Sequence, residues 1–428
     1  VLRPAYTLGG TGGGAVFNRD ELLSVAARGL AASLVHQVLV EESVLGWEEL
    51  ELEVVRDVEG RKITVCFIEN VDPMGVHTGD SFCVAPMLTI APELQARLQD
   101  MSYRIVDAIG VVGGTNIQFA HQPETGRVAV IEINPRTSRS SALASKATGF
   151  PIARISAKLA VGLTLRELPY HKGGTLADYQ PGGDYVVSKF ARWAFEKFPE
   201  IEDKLGTQML AVGEVMSIGK DFKEAFHKSI RSLEINRYGL GGAKDFAEFT
   251  PAELRRRLVH PSSERYFLLY EALRQGVSVE ELAALTHVKA WFIAQIQELV
   301  ACEERLKRFR GRALPPEVLT EAKRFGFSDK YLGRLLERPE REVREERLAA
   351  GRTHAYDEVP VSGATASYYF STHQGPDRVP VSARRKIMIL GGGPNRIGQG
   401  IEFDYTCVHA AFALREEGWE SVMVNCNP

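Results

Sequence analysis

In Glu132-Ile133-Asn134-Pro135-Arg136 a carboxylate, an amide and a guanidinium recur at every second position. Residues two apart on a strand share a face, so these three side chains would line one edge. Carboxylate and amide oxygens suit a hard divalent cation such as Mg²⁺. A guanidinium beside them suits phosphate or another small anion. Metal and phosphate together at a strand end point to nucleotide-triphosphate chemistry. An edge strand with a surface ion pair would present the same triplet, so the other motifs have to separate the two readings.

The segment Thr7–Gly14, TLGGTGGG, has five glycines in six positions. Backbone N–H groups of such a loop can close on phosphate oxygens with no Cβ in the way. It is not a Walker A loop, since no Gly-Lys-Ser/Thr follows, and Ala15-Val16-Phe17 reads as strand rather than helix. The pattern predicts a hairpin lid over a triphosphate; a flexible surface loop is the alternative. Arg3 could add a phosphate contact. Val40–Glu49 runs an apolar strand into acidic residues, where backbone groups could frame an adenine and a carboxylate could hold ribose hydroxyls. Ile68–Ser81 gathers Asn70, Asp72, His77, Asp80 and Ser81 in one polar loop. A turn at Pro123–Arg127 would set Gln118 beside Glu132 on neighbouring strands, so that their oxygens could share one cation. Gly391–Gly400 follows a strand and precedes a helix, but its glycine spacing, Pro394 and Arg396 set it apart from a dinucleotide loop.

The elements that must position these residues alternate up to about residue 236. Strands are expected at Val38–Glu42, Glu49–Arg56, Ile63–Asn70, Thr115–His121, Arg127–Asn134 and Met209–Ile218. Helices are expected at Arg19–Ala32, Pro92–Ile109, Ser141–Thr148, Pro151–Val161 and Asp221–Ile235. Turn signals between adjacent strands suggest antiparallel hairpins, hence an α+β unit. From about 250 to 350 apolar residues recur at helical spacing, with a capping box expected at Ser278 and Glu281. Residues 351–385 read as a connector. A new α/β unit then starts at Lys386–Leu390, with a helix at Phe403–Glu417 and a strand at Ser421–Asn425.

Composition narrows the class. Hydrophobic residues are 44% and charged residues 25% of 428, with a net charge of −3. Nothing here favours nucleic acid or an anionic membrane as partner. No apolar run approaches the roughly 20 residues that span a bilayer. Five cysteines without CxxC spacing argue against a zinc site or disulfide framework and fit a reducing cytoplasm. The first residue is Val1, the last is Pro428 directly after a strand signal, and both ends read as cut from a longer polypeptide.

TLGGTGGG, EESVLGWEELELEVVRD, IENVDPMGVHTGDS, GGTNIQFA and IEINPRTSRSSALASKATGFPIA together resemble the first ATP-grasp domain of the carbamoyl-phosphate synthase large-subunit family. GEVMSIGKDFKEAFHKSIRSLE continues the match, the helical segment resembles that family's oligomerisation domain, and KIMILGGGPNRIGQGIEFDYTCVHAAFALREEGWESVMVNCNP resembles the start of its second synthetase half. The resemblance implies a multidomain α/β protein. An α+β ATP-grasp domain would occupy 1–236, an all-helical oligomerisation domain and connector 237–384, and the start of a Rossmann-like pre-ATP-grasp domain 385–428.

It also implies a chemistry: ATP phosphorylates bicarbonate to carboxyphosphate, and ammonia converts that to carbamate. The ammonia would come from glutamine on a separate glutaminase small subunit, and the product would feed pyrimidine and arginine biosynthesis. By motif, Arg3, Gly9, Gly10, Glu42, Val44, Glu49, Gly75, Val76 and His77 would surround the nucleotide. Gln118, Glu132 and Asn134 would hold Mg²⁺ or Mn²⁺, and Arg136 and Arg139 would sit at the bicarbonate end. The loop Asn70–Ser81 with Glu49 resembles the family's monovalent-cation site, for K⁺. A homo-oligomer through the helical domain is implied. The excerpt alone is expected to be inactive or severely impaired. Two other readings are a different bicarbonate-activating ATP-grasp enzyme of the biotin carboxylase kind and a non-catalytic assembly module.

Overall fold

Leu50, Leu52 and Val54 alternate with Glu49, Glu51 and Glu53, and all six are buried. That alternation organises the principal sheet. In the computed structural model, which describes residues 1–7, 9–242, 246–362, 367–392 and 402–424, the chain begins with β1 (Leu2–Pro4), α1 (Arg19–Ala32) and β2 (Val38–Val40). It continues through β3 (Glu48–Arg56), β4 (Lys62–Asn70), β5 (Cys83–Ala85), α2 (Pro92–Ile109), β6 (Gly113–Gln122) and β7 (Arg127–Asn134). Helices α3 (Arg139–Thr148) and α4 (Ile152–Ala160) precede β8 (Val186–Arg192), β9 (Gly213–Gly219) and α5 (Phe222–Ser232). The sheet runs β7-β6-β3-β4-β5-β8-β9 with every neighbouring pair antiparallel.

Each face of this sheet has its own cover. Leu50, Leu52 and Val54 pack with Leu98 and Val106 of α2. On the other face Val55, Val65 and Ile68 pack with Leu143 of α3 and Ile152, Ile155 and Leu159 of α4. Each buried aliphatic side chain contributes about 1.5–3 kcal/mol relative to exposure. Helix α2 opens on Pro92, whose missing N–H costs nothing in a first turn, and stops at Gly110 in the left-handed region. Helix α3 opens on a reciprocal cap between Ser138 and Ser141.

The next stretch is helical: α6 (Pro251–Leu258), α7 (Arg265–Arg274), α8 (Val279–Thr286), α9 (Ala290–Lys307), α10 (Pro316–Arg324), α11 (Asp329–Leu336) and α12 (Glu340–Ala349). Its core is continuous with the β8 end of the sheet, where Phe82, Phe190 and Phe226 meet Tyr266 of α7 edge-on. Strands β10 (Ala355–Val359) and β11 (Tyr368–Thr372) form an antiparallel ribbon. Strand β12 (Lys386–Leu390) runs parallel to β13 (Glu420–Val424), with α13 (Glu402–Glu416) between them in sequence. The chain is therefore multidomain α/β. No helix among the described residues is long and apolar enough to cross a membrane.

Several expectations change. Ala15–Phe17 is not strand: only Gly14 bridges Leu2, and Asn18 then accepts the Glu21 N–H (2.9 Å) to start α1. Strand β1 pairs instead with β2, so the glycine segment is a loop and not a hairpin arm. The strand expected from Met209 begins only at Gly213, because Gly9 and Asp80 take the N–H groups of Met209, Leu210 and Ala211. Strands β5 and β8 have no clear signal in the sequence. Ser278 does accept the Glu281 N–H (3.2 Å), but the Glu281 carboxylate pairs with Arg255, leaving that cap half formed. Gly393–Gly400 and Asn425 lie outside the described residues.

Candidate active site

Strands β6 and β7 place Gln118 opposite Glu132 and Asn116 opposite Asn134. The four side chains form a polar square at the sheet's edge. Asn134 Nδ2 donates to Glu132 Oε1 (2.8 Å), and Gln118 Nε2 donates to Asn116 Oδ1 (3.3 Å). With the amide nitrogens engaged, the oxygens of Gln118, Glu132 and Asn134 are the groups left for a cation. Asn116 turns inward and donates to Glu51 Oε2 (2.9 Å) and Glu53 Oε1 (3.0 Å). Among the described residues no group of three His, Cys, Asp or Glu side chains could hold a metal. The square is a mixed amide–carboxylate set and depends on outside oxygens to complete a coordination shell.

Arg3 joins the β1–β2 ribbon to this edge. Its Nε lies 3.1 Å from Glu41, and its Nη1 donates to the Ile131 carbonyl (3.1 Å) and lies 4.0 Å from Glu132. Arg136 does not continue the face of Glu132 and Asn134. Pro135 ends the ladder, and the Arg136 N–H turns back to the Asn134 carbonyl (2.8 Å), with the guanidinium exposed on Thr137. Arg139 opens α3 and lies 2.8 Å from Glu214 of β9 as an ion pair. Glu42 is held by both Nη atoms of Arg127 at 2.9 and 2.7 Å on the surface. Val44 is half-buried and its carbonyl accepts the Trp47 N–H.

Met209 links the glycine loop to the His77 loop. Its N–H donates to the Gly9 carbonyl (2.9 Å), and its side chain lies where a Cβ on Gly79 would stand, 2.6 Å from Sδ. A Cβ on Gly10 would lie 2.2 Å from the Thr207 carbonyl oxygen. Gly75, at φ 121°, is pressed against Leu45, and Val76 is buried beside it. His77 Nδ1 accepts the Gly79 N–H (2.9 Å). Burial keeps this imidazole below its usual range, against the pull of Asp80 and Glu132, so it is neutral at neutral pH.

Under the square lies an acidic stripe of Glu49, Glu51 and Glu53, of which motif resemblance singles out only Glu49. Glu51 accepts hydrogen bonds from Asn70 (2.8 Å), Thr78 (2.7 Å) and Ser140 (2.7 Å). Burial works against its charge, but Lys189 of β8 and these donors outweigh it and hold Glu51 below the usual range. Burial pushes Glu53 up to about 8. Burial, with Glu51 adding to it, pushes Glu49 well above the carboxylate range, and its Oε2 has no hydrogen-bond partner. Asp72 and Asp80 are committed elsewhere, to Arg265 and to Trp193 Nε1. The Glu-Leu-Glu-Leu-Glu alternation carries a signal for Glu51 and Glu53. Lys189 has none.

Matches to family models place this antiparallel sheet in an ATP-binding domain of the ATP-grasp class. Residues 1–168 match the family model of the carbamoyl-phosphate synthase L chain ATP-binding domain, 214–351 that of the large-chain oligomerisation domain, and 383–428 that of the preATP-grasp domain. The chain belongs to the carbamoyl-phosphate synthase large-chain family. It is 52% identical over 438 residues to the large chain of Archaeoglobus fulgidus, covering 100% of this chain and 41% of that protein. Against the Myxococcus xanthus large chain it is 52% identical over 437 residues, covering 100% of this chain and 40% of that one. The chain thus spans about two fifths of the length of the curated relatives it matches. Among solved structures, the biotin carboxylase domain of a Hydrogenobacter thermophilus 2-oxoglutarate carboxylase is similar at 13% identity, with a TM-score of 0.44, over 69% of this chain and 64% of that one.

Proposed function

We propose that, in the whole protein, this site phosphorylates bicarbonate with ATP. The observation that carries the reading is the pairing of Gln118 with Glu132, with Asn134 bonded to Glu132, beside the glycine loop and Arg3. These oxygens fit Mg²⁺ or Mn²⁺, which take hard oxygen donors and keep positions for phosphate and water. A cation bound there would neutralise charge on the triphosphate. Arg3, Gly9, Gly10, Glu42, Val44, Glu49, Gly75, Val76 and His77 would surround the nucleotide. Arg136, exposed and without a carboxylate partner among the described residues, and Arg139 would hold bicarbonate. The orphaned Oε2 of Glu49 supports a monovalent cation, K⁺, at the Asn70–Ser81 loop.

In the proposed reaction a bicarbonate oxygen attacks the γ-phosphorus and the bond to ADP breaks. Ammonia then attacks the carbon of carboxyphosphate, phosphate leaves, and loss of a proton gives carbamate. The second half of the protein would phosphorylate carbamate to carbamoyl phosphate for pyrimidine and arginine biosynthesis. Ammonia would come from glutamine on the small subunit, and the helical segment would assemble copies of the large subunit. We take 1–236, 237–384 and 385–428 as the three units. The free Cys66, Cys83, Cys302 and Cys407 support a reducing cytoplasm.

The test is bicarbonate-dependent ADP release by the full-length protein. Asn134→Ala and Glu132→Gln are each expected to lower the rate by about 10²–10³-fold, the usual scale for losing one electrostatic contact at a reacting centre. An Asn134→Ala protein at full rate would overturn the assignment. The 428-residue chain by itself is expected to be inactive or severely impaired.

A further inference from the structure

A polar cavity lies on the helical side of the molecule, and none of its lining residues belongs to the square. It occupies about 320 Å³ between α5, the α10–α12 helices and β11. That volume is at the small end for ligand pockets, which run about 300–1,000 Å³. Five cationic side chains line it (Lys228, Arg231, Lys323, Arg344 and Arg347) against three carboxylates, Glu224, Asp329 and Glu340. The excess is two positive charges.

The carboxylates are largely spent. Asp329 serves both Lys323 (2.8 Å) and Arg347 (2.9 Å), and Glu224 serves Lys228 (3.1 Å). Arg231 donates to the Gly326 carbonyl (2.5 Å), and neither it nor Arg344 forms an ion pair among the described residues. His373 lies beside His354, ring centroids 4.3 Å apart and planes tilted by 41°, and its Nε2 is buried without a hydrogen-bond partner. Burial, reinforced by Lys323 and Arg347, pushes His373 down to about 3 and His354 to about 4. Burial likewise pushes Arg231 down to about 10. The pocket is a preformed positive field with unused donors.

We propose that this cavity binds a phosphate-class dianion, either inorganic phosphate or the terminus of a phosphomonoester, held by Arg231 and Arg344 with His373 Nε2 as a further donor. Guanidinium groups match the paired oxygens of such an anion, and its charge matches the local excess. The site is separate from the proposed bicarbonate chemistry and does not rest on it.

The experiment is isothermal titration of the 428-residue chain with inorganic phosphate, and separately with ribose 5-phosphate, at fixed ionic strength. A saturable binding event that depends on Arg344 is expected. Arg344→Ala, an exposed change with little cost to the fold, is expected to weaken binding at least tenfold, and Arg231→Gln to abolish it. Arg136→Ala at the nucleotide end should leave it unchanged. The nitrogen resonance of His373 Nε2 should shift on phosphate addition in the parent chain and stay still in Arg344→Ala. Tighter binding of ribose 5-phosphate supports the site and assigns a phosphomonoester; equal or tighter inorganic phosphate supports it and assigns the free ion. Binding that survives Arg344→Ala at parent strength would overturn the proposal, whatever Arg136→Ala does, as would no saturation by tens of millimolar phosphate. Should Arg231→Gln fail to fold, Arg344→Ala decides alone.

Discussion

Asp72 and Arg265 meet as a buried two-point ion pair across 193 residues of sequence, with Nε 2.5 Å from Oδ1 and Nη2 on Oδ2. The pair fixes the loop that carries His77 to the start of α7. Arg265 also donates to the Asp80 carbonyl (3.3 Å), so one side chain serves both ends of the loop. Removing one partner leaves a buried charge uncompensated, at a cost of about 3–5 kcal/mol. Arg265→Met is therefore expected to lower the urea midpoint sharply, and Asp72→Asn/Arg265→Met to recover part of the loss. If the double variant is no more stable than the single one, the loss does not come from a stranded Asp72.

Glu53 makes stability depend on pH. Its unfolded value is near 4.5 and its folded value about 8. Between those values the native state keeps a proton that the unfolded chain has shed. Its contribution is full below about pH 4.5 and is lost as pH rises toward 8. Glu53→Gln keeps the shape and removes the titration. Melting temperature measured from pH 5 to 8.5 should fall for the parent chain relative to Glu53→Gln, with the two curves parallel above about 8. A pH-independent difference would place the proton elsewhere.

Asn116 and Gln118 are two residues apart but have opposite roles. Asn116 donates to two buried carboxylates, and Asn116→Leu takes one donor from each, leaving Glu51 with Asn70, Thr78 and Ser140 and Glu53 with Ser141; the expected loss is about 1–3 kcal/mol. Gln118→Ala removes a buried side chain whose amide donates only to the Asn116 oxygen (3.3 Å) and strands no carboxylate. It should lower the melting temperature less than Asn116→Leu does, since no buried carboxylate loses a donor, while weakening Mg²⁺-dependent nucleotide binding in the full-length protein. Equal melting temperatures for the two variants would contradict this division.

Gly149 ends α3 at φ 66° with its carbonyl accepting the Ser362 N–H (3.0 Å). A Cβ there would stand 1.6 Å from the Pro360 carbonyl oxygen. Gly149→Ala must push residues 360–362 off the helix end, a loss of more than about 1 kcal/mol. Faster protease cleavage within residues 351–385 and a lower melting temperature are the expected readouts.

The sequence by itself determined what depends on neighbours in the chain. The two-residue period of β3 set which face meets α2, and the turn at Pro123–Arg127 set the hairpin register as far as Phe119 opposite Val130, whereas a one-residue bulge that no turn signal records brings Gln118 opposite Glu132 instead of Ile131. The glycines, Pro92 and the serine caps fixed where the loop and helices begin, since those preferences are local. Tertiary structure alone decided the rest. Pro135 turned Arg136 away from the edge that its spacing suggested. Met209 was drawn out of a strand to join Gly9. Lys189, in the middle of β8, became the counter-charge for Glu51. Buried charges and loop-to-loop contacts are chosen by partners more than a hundred residues away, and no local periodicity records which partner will be there.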